Sequence, residues 1–217
     1  MIKRMGLFQR RTDLTATQFS SYWAKKHSPL VLKMPQFKRY TQNHVSDILP
    51  NFTSLHPAFH LDGIAEMYWD HRAQMQQDFE QKNAIDALRQ DETEFMSHIS
   101  VCIVEESELQ GQIASIKLMF CLSDFDSNIS VDSLLKALPQ LHGVQCSTVE
   151  DVINRPQLPS IEHLPKQFFS LWYQQYEHVL QDFGAIGWQE FYQHNFQHIQ
   201  RVSLILMNPL LVRDNVV

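Results

Sequence analysis

A histidine at the end of the first predicted helix is the residue of this sequence best placed for proton transfer. His27 opens the segment His-Ser-Pro-Leu. An unperturbed imidazole has a pKa of about 6.5, so it can give or take a proton at neutral pH. The nearby Lys25, Lys26 and Lys33 would lower that pKa and favour a neutral ring able to act as a base. The simpler interpretation is that His27 caps the helix, whose dipole favours a cation at this end.

A second pair of histidines, His56 and His60, follows in the segment His-Pro-Ala-Phe-His. Residues four apart in a loop are not held on one helical face, so a metal site there is disfavoured. Glu190, His194 and His198 do have helical spacing, but they lack the arrangement of a zinc-binding HExxH helix and are predicted to form a polar surface stripe. The sequence therefore predicts no metal site.

Polar residues also alternate along two predicted strands, and alternate residues of a strand share a face. One face of the third strand carries His60, Asp62, Ile64, Glu66 and Tyr68. One face of the second strand carries Tyr40, Gln42 and His44. These groups either satisfy one another in a sheet-to-sheet interface or line a polar pocket for a small molecule.

Charge is distributed unevenly in a chain whose net charge is −6. Residues 1–40 hold nine Lys or Arg and one acid, Asp13. The net negative charge argues against nucleic-acid binding. The basic segment is either a solvated helix face or a local positive potential that attracts a small anion. Asp91, Glu92 and Glu94 are predicted to lie on a solvated helix face.

The composition is that of an ordinary globular protein, with 217 residues, 44% apolar and 19% charged. Only 6 residues are glycine, and no GxGxxG, GxxxxGK[ST] or GxSxG motif is present, which disfavours nucleotide-binding folds and serine hydrolases. No apolar run suggests a signal peptide or a membrane span. Cys102, Cys121 and Cys146 lack disulfide or metal spacing, so a cytoplasmic location is expected.

The first half has the element order β-α-β-β-α-β, the ferredoxin-like arrangement, an α+β fold. A capping box at Thr15 and Gln18 starts its first helix, which Pro35 ends. The predicted strands are 2–9, 37–45, 59–69 and 99–104, and the predicted helices are 15–34, 71–83 and 84–96.

The same order returns in the second half. Ile116-Lys-Leu-Met119 resembles Ile2-Lys-Arg-Met5 at a shift of 114, and Gln181-Asp182-Phe183 repeats Gln77-Asp78-Phe79 at a shift of 104. A loss of ten residues after the first helix brings the copies into register. We therefore expect a tandem duplication, with repeats at 1–110 and 111–217. The second set of strands is predicted at 116–119, 144–149, 167–173 and 202–207, with a helix at 131–138.

Each such unit leaves one face of its sheet bare, and two bare faces can pack together. The chain is therefore expected to form an internal pseudo-dimer. Exposed strand edges could pair whole chains into a further homodimer.

The first half resembles the EthD family of dimeric α+β barrel proteins over about residues 2–106. The residues that carry the resemblance are Arg10-Arg11, Phe19-x-x-Tyr22-Trp23-x3-His27-x-Pro29-Leu30, Tyr40-Thr-Gln-Asn-His44, Asp62-Gly63-Ile-Ala-Glu66-Met-Tyr-Trp69 and Asp91-Glu92-x-x-Phe95. The resemblance implies a barrel of two four-stranded antiparallel sheets with helices outside, and neither a metal nor an organic cofactor.

The resemblance also implies a site. Related muconolactone methylisomerases carry a His, a Tyr and a His where this chain has His27, Tyr40 and His56, with His60 as a substitute for His56. By this resemblance the histidines would transfer protons, and Tyr40 would hydrogen-bond a developing enolate or carboxylate. The residues expected to bind substrate are Tyr22, Trp23, His44, Asp62, Glu66 and Tyr68. The second half has Leu164, Lys166 and Ser170 at the positions of His60, Asp62 and Glu66, so only the first half is expected to keep the site.

The function expected first is a cofactor-independent enzyme that moves a proton on a small, partly apolar, anionic molecule, in an isomerisation, cyclisation or dehydration. The alternatives are a small-molecule-binding protein without turnover and a haem-binding monooxygenase of the wider superfamily. Fold does not select among them.

Overall fold

A computed structural model describes residues 1–48, 59–123, 129–195, 199 and 201–214 of the chain, and no side chain is described at 47 and 48. His56 and His198 lie outside these ranges. The strands are β1 Ile2–Arg10, β2 Arg39–Ile48, β3 Gly63–Trp69, β4 Met96–Glu106, β5 Gln110–Gly111, β6 Ile116–Leu122, β7 Gly143–Ile153, β8 Gln167–Tyr173 and β9 Val202–Asp214. The helices are α1 Ala16–Tyr22, a π-helical turn Trp23–His27, α2 Ser28–Val31, α3 Arg72–Glu80, α4 Lys82–Phe95, α5 Val131–Ala137, α6 Tyr176–Gly184 and α7 Ile186–Asn195.

Eight long antiparallel strands form a closed barrel in the order β4-β1-β3-β2-β9-β6-β8-β7, and β7 pairs back to β4. The four long strands of the first half are neighbours in the barrel, and so are the four long strands of the second half. The pairings β2–β9 and β4–β7 join the two halves. The α+β class and the barrel are therefore confirmed. Because each of these eight strands has a neighbour on both sides, the described part of the barrel leaves no long strand edge for pairing with a second chain.

Strand alternation separates the core into layers. Met5 and Leu7 of β1 point into the barrel, where they pack with Met119 and Cys121 of β6. Phe8 points outward, into the cluster beneath the helices of the first half. The second half has its own outer cluster around α5, α6 and α7. Strand β1 is therefore buried on both faces over its central residues.

Strand β3 begins at Gly63, four residues later than expected. The backbone N–H of Asp62 donates to the Phe8 carbonyl, and the Asp62 carboxylate accepts from Arg10, so residues 60–62 form a loop fastened to the end of β1. The expected alternation holds from Ile64 onward but not at His60. Strands β4 and β9 run longer than expected because their ends pair with the other half.

A buried aspartate fastens the connection after α2 to the helix layer. Both carboxylate oxygens of Asp78 accept from the backbone N–H of Gln36, at 3.1 and 3.2 Å. One of them also accepts from the indole Nε1–H of Trp69 at 2.8 Å. Asp78 is fully buried, so these bonds satisfy a carboxylate that has no access to water.

The second half contains the same set of hydrogen bonds at positions 104 residues later in the sequence. Asp182 accepts from the backbone N–H of Gln140 with both oxygens, at 3.1 Å each. Its third donor is the hydroxyl of Tyr173, at 3.1 Å, which stands where the first half has an indole. The two sets of contacts match position for position.

Removing either aspartate is expected to weaken folding by a similar amount. Asp78→Ala and Asp182→Ala each leave buried donors without an acceptor, so we expect the free energy of unfolding to fall by about 2 kcal/mol in each case. Urea denaturation measures this, with the exposed Asp86→Ala of α4 as a control that should change little. A loss in one variant without a comparable loss in the other would show that the two fastenings are not equivalent.

Candidate functional site

The π-helical turn Trp23–His27 brings His27 into the protein. The backbone N–H of Ser28 donates to the Trp23 carbonyl, five residues back, and the Ser28 hydroxyl donates to the same oxygen at 3.2 Å. The amide of Gln42 donates to it as well, at 3.1 Å. Trp23 and His27 are both buried, and such turns occur frequently at functional sites.

A glycine makes room for this turn. The ring of Trp23 lies so close to β3 that a Cβ at Gly63 would be 2.5 Å from its Cζ3 atom. The Asp62-Gly63 pair of the sequence therefore has a steric role, because any side chain at position 63 would displace the indole that supports the turn.

His27 forms a hydrogen-bonded set with two other side chains. Its Nδ1 lies 2.8 Å from one carboxylate oxygen of Asp91, and the hydroxyl of Tyr22 donates to the other at 2.8 Å. A carboxylate on Nδ1 selects the tautomer whose Nε2 can accept a proton. The ring packs on Phe95, with centroids 5.0 Å apart. This is the arrangement of a base oriented by a carboxylate.

The electrostatics of the set follow from its contacts. Burial raises the pKa of Asp91, but the hydrogen bonds from His27 and Tyr22 outweigh it and hold that pKa below its usual value. Burial, together with the hydrogen bond to Asp91, raises the pKa of Tyr22 to about 12. Tyr22 therefore stays protonated and acts as a donor to the carboxylate that orients the imidazole.

Two expectations about this region are wrong. Lys25, Lys26 and Lys33 are exposed, so the charged neighbour of His27 is a carboxylate and not an ammonium group. Of the three α4 acids expected on a solvated face, only Glu94 is exposed, since Asp91 contacts His27 and Glu92 is 4% exposed. The sequence did contain a signal: Leu88, Glu92 and Phe95 have the i, i+4, i+7 spacing of a buried helix face, on which Glu92 is the one acid.

A small cavity lies beside His27, between the sheet and the helices. It has a volume of about 30 Å³, room for one or two water molecules. His27 and Tyr40 line it together with Arg4, Glu92 and Arg155. Glu92 and Arg155 form a buried ion pair. Arg155 belongs to the second half, so the first-half cavity is completed from across the β4–β7 junction.

An arginine-rich cleft of about 260 Å³ adjoins this cavity and shares Arg4 and Arg155 with it. Arg72 and Arg89 line it as well, opposite one acid, Asp151. The Nε atoms of Arg4, Arg89 and Arg155 are buried without a hydrogen-bond partner. Burial and the neighbouring Arg155 lower the pKa of Arg4. Buried donors of this kind require an acceptor, and an anionic group in the cleft would supply one.

Tyr40 belongs to a separate buried network. Its hydroxyl accepts from Nε1 of Trp23 at 3.0 Å and from the amide of Gln42 at 2.8 Å. His44 lies 3.1 Å from the Gln42 amide oxygen and packs against Trp23 at a tilt of 49°, with ring centroids 4.5 Å apart. Burial lowers the pKa of His44 to about 4, so it is neutral near pH 7. Tyr40 therefore lines the cavity beside His27, whereas His44 packs against the Trp23 ring.

The remaining sequence-predicted residues lie elsewhere. His60 is exposed, and its backbone carbonyl accepts from Gln9. Asp62 is bound to Arg10, at 2.8 Å. Glu66 and Tyr68 point into the barrel, on the opposite face of the sheet from His27. The structure therefore brings His27, Tyr22, Trp23, Tyr40 and His44 together and separates Glu66 and Tyr68 from them.

Inside the barrel, Glu66 is the centre of a buried ion cluster. Its two oxygens lie 2.8 Å from Nζ of Lys3 and 2.8 Å from Nζ of Lys117. All three residues are at most 5% exposed. Burial raises the pKa of Glu66, but the two ammonium groups outweigh it and hold that pKa far below its usual range. Glu66 is therefore a charged structural group here.

Comparison with known families identifies the first half. The sequence of residues 11–99, from the residue after β1 through the first residues of β4, matches that of the EthD domain. Residues 11–99 are an EthD domain. The match includes His27 and Asp91 and excludes Arg4 and Arg155, so the domain's cavity is completed by residues outside the matched segment. The search of curated proteins found no significant match.

Solved structures share the fold over almost the whole chain. A candidate monooxygenase from Lactobacillus acidophilus is 9% identical, with a TM-score of 0.51 over 99% of this chain and 96% of its own. An anthrone oxidase-like protein is 7% identical, with a TM-score of 0.54 over 99% and 94%. A candidate monooxygenase from Fusobacterium nucleatum is 8% identical, with a TM-score of 0.55 over 98% and 97%. At these identities the likeness shows the fold alone.

The described ranges were also compared with the requirements of a membrane-spanning helix and of a metal site. None of their helices combines the length and the apolar character needed to cross a membrane. No cluster of three or more His, Cys, Asp or Glu side chains in those ranges is arranged to hold a metal ion.

Proposed function

We propose that the EthD domain, completed by Arg4 and Arg155, catalyses proton transfer on a small, partly apolar anion. The observation that carries the proposal is the hydrogen bond between Nδ1 of His27 and Asp91. The imidazole ring that makes this bond also lines the small cavity between the sheet and the helices. This geometry leaves Nε2 as the proton acceptor. Asp91 and Tyr22 are positioning residues, because they act on the substrate through the imidazole.

The arginines supply the binding half of the proposal. A substrate carboxylate in the arginine-rich cleft would accept hydrogen bonds from Arg4, Arg89 and Arg155, whose Nε atoms are buried without partners. The attached carbon framework would occupy the arginine-rich cleft, and only its reacting atoms would reach the small cavity beside His27. Nε2 then takes a proton from carbon and returns it to another carbon or oxygen of the substrate, or, in a dehydration, to the departing hydroxyl group, which leaves as water. The net change is an isomerisation, cyclisation or dehydration, which needs no electron acceptor.

The duplication belongs to the same proposal. We place ferredoxin-like repeats at 1–110 and 111–217, supported by the matching fastenings of Asp78 and Asp182 and by the matching strand orders of the two halves. The second repeat would then serve to close the barrel and to supply Arg155. The first helix of the second repeat, α5, has 7 residues and no counterpart of His27.

The test uses an enolisable carboxylate as probe. Phenylpyruvate, within a panel of 2-oxo and 3-oxo acids, is incubated with the protein in D₂O, and deuterium exchange at carbon is followed by NMR. We expect exchange above the buffer rate, and a loss of about 10²- to 10⁴-fold in His27→Gln. Asp91→Asn is expected to lose activity as well, because the wrong tautomer of the imidazole is then favoured.

The control is His194→Ala, which removes an exposed histidine of α7 and should leave the rate unchanged. Full exchange activity in His27→Gln would contradict the assigned role. Binding of the probe acids to the arginine cleft without exchange would favour the alternative, a binding protein without turnover.

A further inference from the structure

Two buried lysines occupy matching positions inside the barrel. Lys3 of β1 and Lys117 of β6 stand two residues before Met5 and Met119, which pair with Glu66 and Ser170 respectively. The registers of the two halves therefore superimpose around the lysines, and their surroundings can be compared position by position.

Lys3 is surrounded by acceptors. Its Nζ lies 2.8 Å from Glu66 and 2.6 Å from Glu106, and it donates to the Ser147 hydroxyl at 3.3 Å. It also lies 5.4 Å from the ring centroid of Tyr68. Burial lowers the pKa of Lys3, but these acids outweigh it and hold that pKa well above its usual value. The carboxylates of Glu66 and Glu106 therefore both contact the ammonium group of Lys3.

Lys117 has the same surroundings except for the acids. It lies 3.1 Å from Asn43, which matches Ser147, and 5.7 Å from the ring centroid of Trp172, which matches Tyr68. It shares Glu66 with Lys3, at 2.8 Å. Burial lowers its pKa, and Glu66 does not fully offset that effect.

The positions that match the two acids of Lys3 carry no charge. Ser170 stands where the first half has Glu66, since each pairs with the corresponding methionine. Pro209 stands where the first half has Glu106, two residues beyond the strand position that pairs with the lysine. The second half therefore contributes neither of the two matching carboxylates, and Lys117 forms its salt bridge with Glu66 of the first half.

A cavity occupies the place of these acids at one mouth of the barrel. It has a volume of about 200 Å³ and is lined by Ser170, Pro209, Lys117, Glu66 and Trp172, among others. For comparison, an apolar cavity of about 150 Å³ holds a benzene molecule.

Arg39 adds a further positive charge to this cavity, and its Nε is buried without a partner. Around the mouth, the cations Lys3, Lys117 and Arg39 face two carboxylates, Glu66 and Glu106. Asp214 stands opposite Arg39 in the β2–β9 pairing but is exposed, and it does not provide a hydrogen-bond partner for the buried Nε of Arg39.

We propose that this mouth of the barrel is a second ligand site, which binds a small organic carboxylate. The ligand's carboxylate lies between Lys117 and Arg39, in the space where a second glutamate would stand. Its apolar body lies against Trp172 and Leu211. The site is separated from His27 by the sheet and does not depend on the proton-transfer proposal.

The test compares benzoate with its uncharged isostere benzamide and the cation benzylamine, by isothermal titration calorimetry on the full chain. We expect benzoate to bind at least tenfold more tightly than either. Ser170→Glu supplies the missing carboxylate from the protein, so benzoate affinity should fall at least tenfold while the melting temperature is kept. Ser170→Ala preserves the cavity and should keep the affinity.

A second variant separates this site from the arginine cleft, which also attracts anions. Arg89→Gln removes a donor of that cleft and should leave benzoate binding to the barrel mouth intact. The proposal is overturned if benzoate does not bind, if benzamide binds equally well, or if Arg89→Gln abolishes binding while Ser170→Glu does not. None of these outcomes bears on deuterium exchange by His27.

Discussion

Replacing Glu66 by glutamine is expected to lower the free energy of unfolding by about 3–5 kcal/mol, among the largest effects of any single substitution in this chain. The substitution removes the carboxylate that both Lys3 and Lys117 contact at 2.8 Å, and it leaves two buried ammonium groups close together. A glutamine can still accept one hydrogen bond but cannot balance either charge. Urea denaturation at pH 7 measures the loss.

A rescue variant shows that the loss comes from charge. The triple variant Lys3→Met, Glu66→Leu, Lys117→Met removes the three buried charges, and such replacements of buried ion pairs are often neutral or stabilising. Glu106 stays charged but is 19% exposed and keeps the hydrogen bond from the Tyr68 hydroxyl. We expect most of the lost stability to return. If Glu66→Gln unfolds at the same urea concentration as the unchanged protein, the cluster does not have the structural role assigned to it.

The same cluster predicts a pH dependence. The pKa of Glu66 is lower in the folded protein than in the unfolded chain, where it is about 4.3. Its contribution to stability is therefore fully present above that unfolded value and is lost as the pH falls from there toward the folded pKa. The unchanged protein should lose stability between pH 5 and pH 3 more steeply than Glu66→Gln does, as unfolding curves across that range would show.

Replacing Glu92 by glutamine is expected to cost about 3 kcal/mol. Glu92 forms a buried ion pair with Arg155 and also offsets the charge of Arg4, both of which are at most 8% exposed. Without it, two buried guanidinium groups face each other without an acid. Because Arg155 comes from the second half, the loss should also weaken the β4–β7 junction.

Two measurements check this. Urea denaturation gives the loss of stability, and hydrogen exchange at the amides of β4 and β7 shows whether the junction opens more often. The exposed Glu94→Gln on the same helix is the matched control and should leave both unchanged. Protection at β4 and β7 that stays constant in Glu92→Gln would mean that the ion pair does not hold the junction.

Much of the fold is encoded in local pattern. The capping box at Thr15 and Gln18 forms as predicted, with both bonds present. Alternation along β3 correctly places Glu66 and Tyr68 on one face from Ile64 onward. What local pattern does not contain is the joining of β2 to β9 and of β4 to β7, because those pairings join strands of different halves, such as Ile48 with Ile205 and Val101 with Ile153. The expected face-to-face packing is therefore realised as one continuous barrel.

The site was harder to predict than the fold. His27 could be nominated from its type and place at a helix end, but its partner Asp91 lies 64 residues away, among acids with the composition of a solvated surface. The polar residues on β2 and β3 were grouped by type, whereas the sheet separates them into two environments. Arg155 gave no signal in sequence, because its role depends on the contact between the halves.

The unequal surroundings of Lys3 and Lys117 have a consequence for how this barrel can change. In a symmetric pair of identical chains, any substitution appears on both sides of the axis, so losing one inward acid means losing its mate. In a single chain the two matching positions are encoded by separate codons, so one residue can change while the other stays the same. One lysine can keep two acids and anchor the barrel, while the other is freed for a different use by substitutions that leave the first untouched.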